Sequence, residues 1–224
     1  GAFNINSFKY YDNSPIQGEL DDFEKIGFAK VWLNLLELLS IPVNPGRVYA
    51  IKDWIDADDS AGSWGAEQAD YEGLENSVVV YNDLFVSSSE LSAVMGYTIE
   101  EVNKLMPWLS ALPFQTPINI NTASVEILNS LSGNYGPAFI EAVLSGRPFS
   151  NVNDFYNEIN EYLALWDPIK PGVGRANLIW PQHLISVNSD FFKLYLEAEI
   201  GEAKMELTSL LHRTKNAGIN IISR

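Results

Sequence analysis

Four acids fall within seven residues, Asp53, Asp56, Asp58 and Asp59, and Glu67 and Asp70 follow them closely. Carboxylates set this densely repel one another unless a cation sits among them, so the chemistry they first offer is hard-oxygen metal binding. With Asp56 as position 1, Asp58 falls at 3, Ser60 at 5 and Glu67 at 12. Those are oxygen-ligand positions of a calcium loop, whose ion takes about six to eight oxygens. Position 6 is Ala61 instead of the turn glycine, and position 8 is Ser63 instead of an apolar residue. The segment is therefore a candidate calcium loop and not an EF-hand. Two other readings of the same residues stay open. One is a solvated acidic turn whose Asp side chains bond the local backbone. The other is a catalytic carboxylate pair of Asp53 and Asp56.

A second constellation runs through Asn119-Ile120-Asn121-Thr122-Ala123 to Leu128, then Leu131 to Ala138 with Gly133 and Gly136. Two short helices around a glycine-containing turn have the layout of a helix-hairpin-helix, whose DNA-binding versions hold a phosphate on hairpin amides and nearby basic residues. No Lys or Arg lies between Lys104 and Arg147, so a hairpin used for packing is the favoured reading. Gly172-Val173-Gly174 is an isolated glycine pair, and Gly62-Ser63-Trp64-Gly65 lacks nucleophile-elbow spacing. With only His183 and His212 and no Cys, there is little material for a hydrolytic triad or a zinc site. The expectation is a protein without enzymatic activity.

The 224 residues carry 29 Asp+Glu against 14 Lys+Arg, a formal net charge of −15. The imbalance is local. From Asp53 to Asn103 there are twelve acids and no Lys, Arg or His, while the rest of the chain is close to balance. Such a charge opposes a nucleic-acid partner, because phosphate affinity comes from Lys and Arg. The densest apolar run, Val31 to Leu39, is far shorter than the roughly 20 residues of a transmembrane helix. The chain opens Gly1-Ala2-Phe3 without Met, as a fragment or processed form would.

These residues have to be positioned by a mixed set of elements. Phe3 to Phe8 alternates weakly and reads as a short strand. Asp21 and Asp22 offer N-cap chemistry to a helix whose face is Phe28, Trp32, Leu35 and Leu39, stopped by Pro42 and Pro45-Gly46. A second helix is expected over Val48 to Ile55, running into the acidic loop. Ser87 to Glu90 caps a short helix, and Thr98 with Glu101 forms a capping box for Ile99 to Leu109. Thr122 to Leu131, Pro137 to Leu144 and Val152 to Leu165 complete the helical middle. The period then changes. Phe192, Leu194, Leu196, Ala198 and Ile200 alternate with polar neighbours along a strand with one wet face. Ala203 to Leu211 and Ile219 to Ile222 follow as further antiparallel strands, and the opening segment is expected to join them. The fold class read from this is α+β, with the helical middle inserted into a small sheet domain.

At this point the motifs resemble one family, type II secretion system protein K, a minor pseudopilin. Phe3-Asn4-Ile5-Asn6-Ser7 is similar to the family's opening Asn repeat. The block from Asp53 to Asp59, with Gly65-Ala66-Glu67 and Tyr71, resembles its most distinctive signature. Ser89-Glu90-Leu91, Val94, Gly96, Leu109 to Pro113, the Asn119 to Ala123 block, Ser189 to Phe192 and Ser209 to Arg213 follow in the family's order. The resemblance implies a pseudopilin-type antiparallel sheet domain, residues 1–20 and 184–224, with a large inserted all-α domain, residues 21–183, containing a helix-hairpin-helix-like unit. It implies a place at the tip of the periplasmic pseudopilus beside minor pseudopilins I and J. It also implies an inner-membrane anchor through an N-terminal helix outside this chain, with no nucleic acid and no small-molecule substrate. It further implies one or two Ca2+ ions. Asp56, Asp58 and Glu67 are the matching ligands, Asp53 and Asp59 orient or ligate, and Asp70 substitutes for an acid the family often carries where this chain has Gln68. A helix-hairpin-helix nucleic-acid-binding protein is the alternative, and a metal-dependent hydrolase on the acidic loop ranks last.

Overall fold

The computed structural model describes residues 1–10, 27–62, 64–74, 77–166, 176–214 and 218–223. They form two compact units, residues 1–187 and 188–224.

The first unit is largely helical. Its opening strand β1 is only Phe3–Asn4, and the chain turns at once into a 3-10 helix over Ile5–Tyr10. Phe3, Ile5 and Phe8 are buried, and so are Asn4, Asn6 and Ser7, so the sequence alternation does not mark a wet face. Helix α1, Phe28–Leu38, buries Phe28, Val31, Trp32, Leu35 and Leu36, the stripe of an amphipathic helix. Its N-cap is Gly27, and the expected caps Asp21 and Asp22 lie outside the described residues. Phe3, Phe8 and Trp32 pack ring against ring at centroid distances of 5.3 to 6.0 Å. Trp32 Nε1 donates to Tyr97 Oη at 3.0 Å, which keeps the buried indole satisfied.

Helix α2, Gly46–Ile55, leads into the acidic loop, and the short helix α3, Gln68–Glu72, leaves it. Ser87 and Glu90 cap a 3-10 helix over Ser88–Ala93. The Thr98–Glu101 capping box starts α4, Ile99–Leu105, as expected. The helix does not reach Leu109. Pro107 has no amide to continue it, and the chain passes through a 3-10 turn, Met106–Trp108, into strand β2, Leu109–Ser110. Strand β3, Ile118–Asn119, precedes helices α5, Val125–Ser132, and α6, Gly136–Gly146, which are joined by a 3-10 turn over Gly133–Tyr135. Helices α7, Val152–Trp166, and α8, Ala176–Ile179, then return the chain to strand β4, Ile185–Ser186.

One device occurs twice in this unit. β1 pairs in parallel with β2, and β3 in parallel with β4. Each opening strand carries an Asn-Ile-Asn triplet. Asn4 Oδ1 accepts from Asn6 N at 3.2 Å, and Asn119 Oδ1 accepts from Asn121 N at 3.0 Å. The second Asn of each triplet then latches two distant segments. Asn6 Nδ2 donates to Phe85 O and Leu112 O, and its Oδ1 accepts from Phe85 N. Asn121 Nδ2 donates to Phe149 O and Val187 O, and its Oδ1 accepts from Phe149 N. In both cases a side-chain amide satisfies backbone groups of neighbouring segments that a two-residue strand does not reach.

The expected pairing of the opening segment with the C-terminal strands does not occur: β1 lies against β2 inside the first unit. The second unit is an antiparallel meander of β5, Phe191–Ile200, β6, Ala203–Arg213, and β7, Ile219–Ser223. Gly201, at φ 63°, makes the tight turn between β5 and β6. The expected single wet face is not seen. Phe192, Leu194, Leu196 and Ile200 are exposed like their polar neighbours, because the three strands form one layer and the described residues of this unit supply no second.

Candidate metal centre

The acidic loop is anchored at both ends by helices and from below by a buried acid. Asp53 sits in the last turn of α2 and is 5% exposed. Its Oδ2 accepts from Gly62 N at 3.1 Å. A Cβ on Gly65 would lie 1.6 Å from that same oxygen, so the loop can close over Asp53 only with glycine there. Asp53 thus folds the loop, and its carboxylate is held by loop backbone.

Past α2 the chain turns extended at Asp56 and loops back to Glu67, which is 3% exposed. Asp56, Asp58 and Glu67 each present a carboxylate oxygen, and the three atoms lie within 4.8 Å of one another. These are the three acids that the calcium-loop spacing picks out. The other three candidates are placed differently. Asp59 Oδ1 accepts from Asn82 Nδ2 at 3.0 Å. Exposed Asp70 accepts from Glu67 N at 2.9 Å and thereby starts α3. Asp58 also bonds locally, its Oδ1 accepting from Ser60 N at 2.9 Å, so part of the acidic-turn reading is realised in the same loop.

What sets Asp56 and Glu67 apart is missing partners. Asp56 Oδ1, both carboxylate oxygens of Glu67 and Asn82 Oδ1 are buried without a well-formed hydrogen bond among the described residues, the Glu67 side chain meeting only the Asp70 amide in a loose capping contact. A buried carboxylate left without donors is costly, and native structures seldom keep one. The electrostatics agree. Burial, then the charges of Asp53, Asp56, Asp59 and Asp58, pushes Glu67 up to about 7. Burial also raises Asp56, with the Asp58 charge adding. Asp53 is raised by burial, opposed by the Gly62 amide. A cluster of hard oxygens, mutually repelling and short of donors, fits a divalent oxygen-binding cation such as Ca2+.

The sequence pattern misses Asn82 and Gln68. Gln68 brings the 78–82 segment alongside, its Oε1 accepting from Val80 N at 2.9 Å and its Nε2 donating to Val78 O at 3.3 Å. Asn82 then reaches the acidic loop from the other side. Both lie outside any twelve-residue loop pattern. The one available signal for Asn82 is its residue type, because Asn tolerates the left-handed backbone it adopts at φ 50°.

The helical hairpin offers no comparable site. Arg147, the basic residue closest to it in sequence, turns inward, with Nη2 donating to Ala123 O at 2.9 Å.

Comparison with known proteins gives a consistent result. The family model described as type II secretion system (T2SS), protein K matches residues 1–114, and a second model of the same description matches residues 118–162. The boundary between them falls where the second Asn latch begins. The type II secretion system protein K of Aeromonas hydrophila is 30% identical over 232 residues, covering 100% of this chain and 67% of its own length. That of Pseudomonas aeruginosa is 27% identical over 178 residues, covering 78% of this chain and 49% of its own length. The chain spans about half to two thirds of these relatives. Among solved structures, a chain in the crystal structure of the GspK-GspI-GspJ complex from the enterotoxigenic Escherichia coli type 2 secretion system matches at a TM-score of 0.72. The match covers 99% of this chain and 74% of that one at 22% identity, and so establishes a shared fold.

Proposed function

The chain belongs to the type II secretion system protein K family, and on that premise we propose that it is a minor pseudopilin that caps the pseudopilus tip together with minor pseudopilins I and J. The observation that carries this reading is the family match over both halves of the first unit, joined to a fold shared with a chain of a three-protein pseudopilin complex. The family is a structural part of the secretion apparatus and not an enzyme. In this reading the helical unit, with its helix-hairpin-helix-like α5–α6 pair, is a bulky head inserted into a pseudopilin sheet domain. Such a head hinders stacking of a further subunit and suits an end position. The chain is then the periplasmic part of a protein held in the inner membrane by a helix N-terminal to Gly1. Among the described residues no helix is long and apolar enough to cross a membrane.

The same proposal places one Ca2+ ion at Asp56, Asp58 and Glu67. The ion supplies positive charge where the fold has gathered carboxylates without donors, and so stabilises the head. Asp53 and Asp59 shape the loop around it, and Asp70 orders the helix that carries Glu67.

Gel filtration with light scattering, on this chain mixed with the soluble domains of pseudopilins I and J, tests the assembly. Co-elution as one complex is expected. Separate elution at micromolar concentration refutes the tip reading.

A further inference from the structure

We propose that Val78-Val79-Val80-Tyr81 is an open strand edge that takes up an extended, basic segment of a partner protein by strand addition. Residues 77–81 run without turn or bend and belong to no sheet. Their burial alternates as a strand's does: Val80 is buried, while Val79 is 68% and Tyr81 79% exposed. Val and Tyr are strong strand formers, so what the segment lacks is a pairing partner. One edge is held by a side chain. Gln68 Nε2 donates to Val78 O at 3.3 Å, and its Oε1 accepts from Val80 N at 2.9 Å. A residue of a parallel strand bonds its neighbour in the same way, donating to one residue and accepting from the next but one. Successive residues of an extended chain turn to opposite edges, so the N–H and C=O groups of Val79 and Tyr81 face away from Gln68. No hydrogen bond to another described residue takes them up. The two Asn latches differ in this respect. Asn6 and Asn121 each bind two segments, whereas the segment that Gln68 holds has its far edge bare.

The surroundings select the occupant. Open edges are ordinarily guarded by charged residues or proline, and residues 77–81 contain neither. The charge lies beside them and is acidic. Asn82 ties the segment to Asp58 and Asp59, and the side chain of Asp83 is 74% exposed, meeting Lys9 at 3.6 Å. A second copy of the chain would bring the same acids to the edge and be repelled, whereas a strand carrying Lys or Arg is attracted. Val79 and Tyr81, two residues apart, point to one face and offer an apolar contact to alternate side chains of the added strand. A strand position left facing water is ordinarily polar, so these two side chains favour a covering partner.

The test uses two synthetic peptides, acetyl-Lys-Val-Thr-Val-Lys-amide and its Glu-Val-Thr-Val-Glu counterpart. Each is titrated into isotope-labelled protein at low salt, and backbone amide shifts are followed by NMR. The basic peptide is expected to shift Val79 and Tyr81 most, to bind at least about tenfold more tightly than the acidic one, and to weaken as salt is raised. Val79→Pro removes the outward N–H of an exposed residue and should lower that affinity about tenfold or more. Val79→Thr keeps the N–H and should stay within a few-fold of wild type. The melting temperature of each variant checks that it folds. The proposal is overturned by an absence of shifts at millimolar basic peptide, by shifts confined to β5 or β7, or by unchanged binding in Val79→Pro. Equal affinity for the two peptides overturns the basic partner. A concentration-dependent dimer that Val79→Pro abolishes makes a second copy the occupant and overturns it as well.

Discussion

Glu67→Gln should make the calcium-free protein relatively more stable at high pH while removing its response to calcium. Glu67 is almost fully buried, and burial with the surrounding Asp charges raises it from 4.5 to about 7. A carboxyl raised on folding costs nothing below pH 4.5, where it is protonated in both folded and unfolded states. The cost grows as pH rises through the interval, because the unfolded chain releases the proton first, and it is complete above pH 7. Over the whole interval it amounts to roughly 3 kcal/mol, of which about 2 to 3 kcal/mol develops between pH 5 and pH 8. Gln cannot ionise and does not develop it. Urea unfolding in chelator at pH 5 and pH 8 measures both proteins. The stability of wild type minus that of Glu67→Gln should fall by about 2 to 3 kcal/mol between the two pH values. Any constant cost of burying the Gln amide cancels in this comparison. Calcium at about a hundred times its Kd should then raise wild-type stability at pH 8 by about 2.7 kcal/mol and leave the variant nearly unchanged. A wild-type-minus-variant difference that is equal at the two pH values refutes the electrostatic argument, whatever the calcium response.

Gly65→Ala should destabilise the protein by about 1 to 3 kcal/mol and weaken calcium binding, since the new Cβ would overlap Asp53 Oδ2 and force the loop open; chelator-treated and calcium-loaded melts check both effects. Asn121→Ala should cost about 2 to 4 kcal/mol in urea unfolding, because it strands Phe149 N, Phe149 O and Val187 O, while its calcium affinity stays at the wild-type value.

Much of this was readable from residue patterns where local rules govern. The Trp32 face of α1, the Ser87–Glu90 and Thr98–Glu101 caps and the extent of β5 follow from spacing alone. The same rules located Asp56, Asp58 and Glu67 as a set. What escaped depends on contacts between distant segments. Asn4-Ile5-Asn6 and Asn119-Ile120-Asn121 are visibly the same triplet, yet what they do depends on partners up to about a hundred residues away. Asp53 and Asp59 stand beside the trio in sequence, and their bonds in the structure come from loop closure and from a distant residue: Asp53 Oδ2 accepts from Gly62 N and Asp59 Oδ1 from Asn82 Nδ2. Several acids of the basic-free stretch also have structural work. Glu101 makes a two-pronged pair with Arg47 at 3.0 and 3.1 Å that holds its carboxyl below the usual range, Glu90 accepts from Val86 N and Ser87 N, and Asp83 faces Lys9 at 3.6 Å. The local excess of negative charge is therefore partly a set of caps and ion pairs, and partly the oxygen cluster at Glu67.

The decisive observation for that cluster is an anomalous-difference map from crystals of the protein grown in calcium. A peak bridging Asp56, Asp58 and Glu67, with oxygens at about 2.3 to 2.6 Å, is the expected result. A map with no peak there, and with the three carboxylates turned apart into solvent, would contradict it.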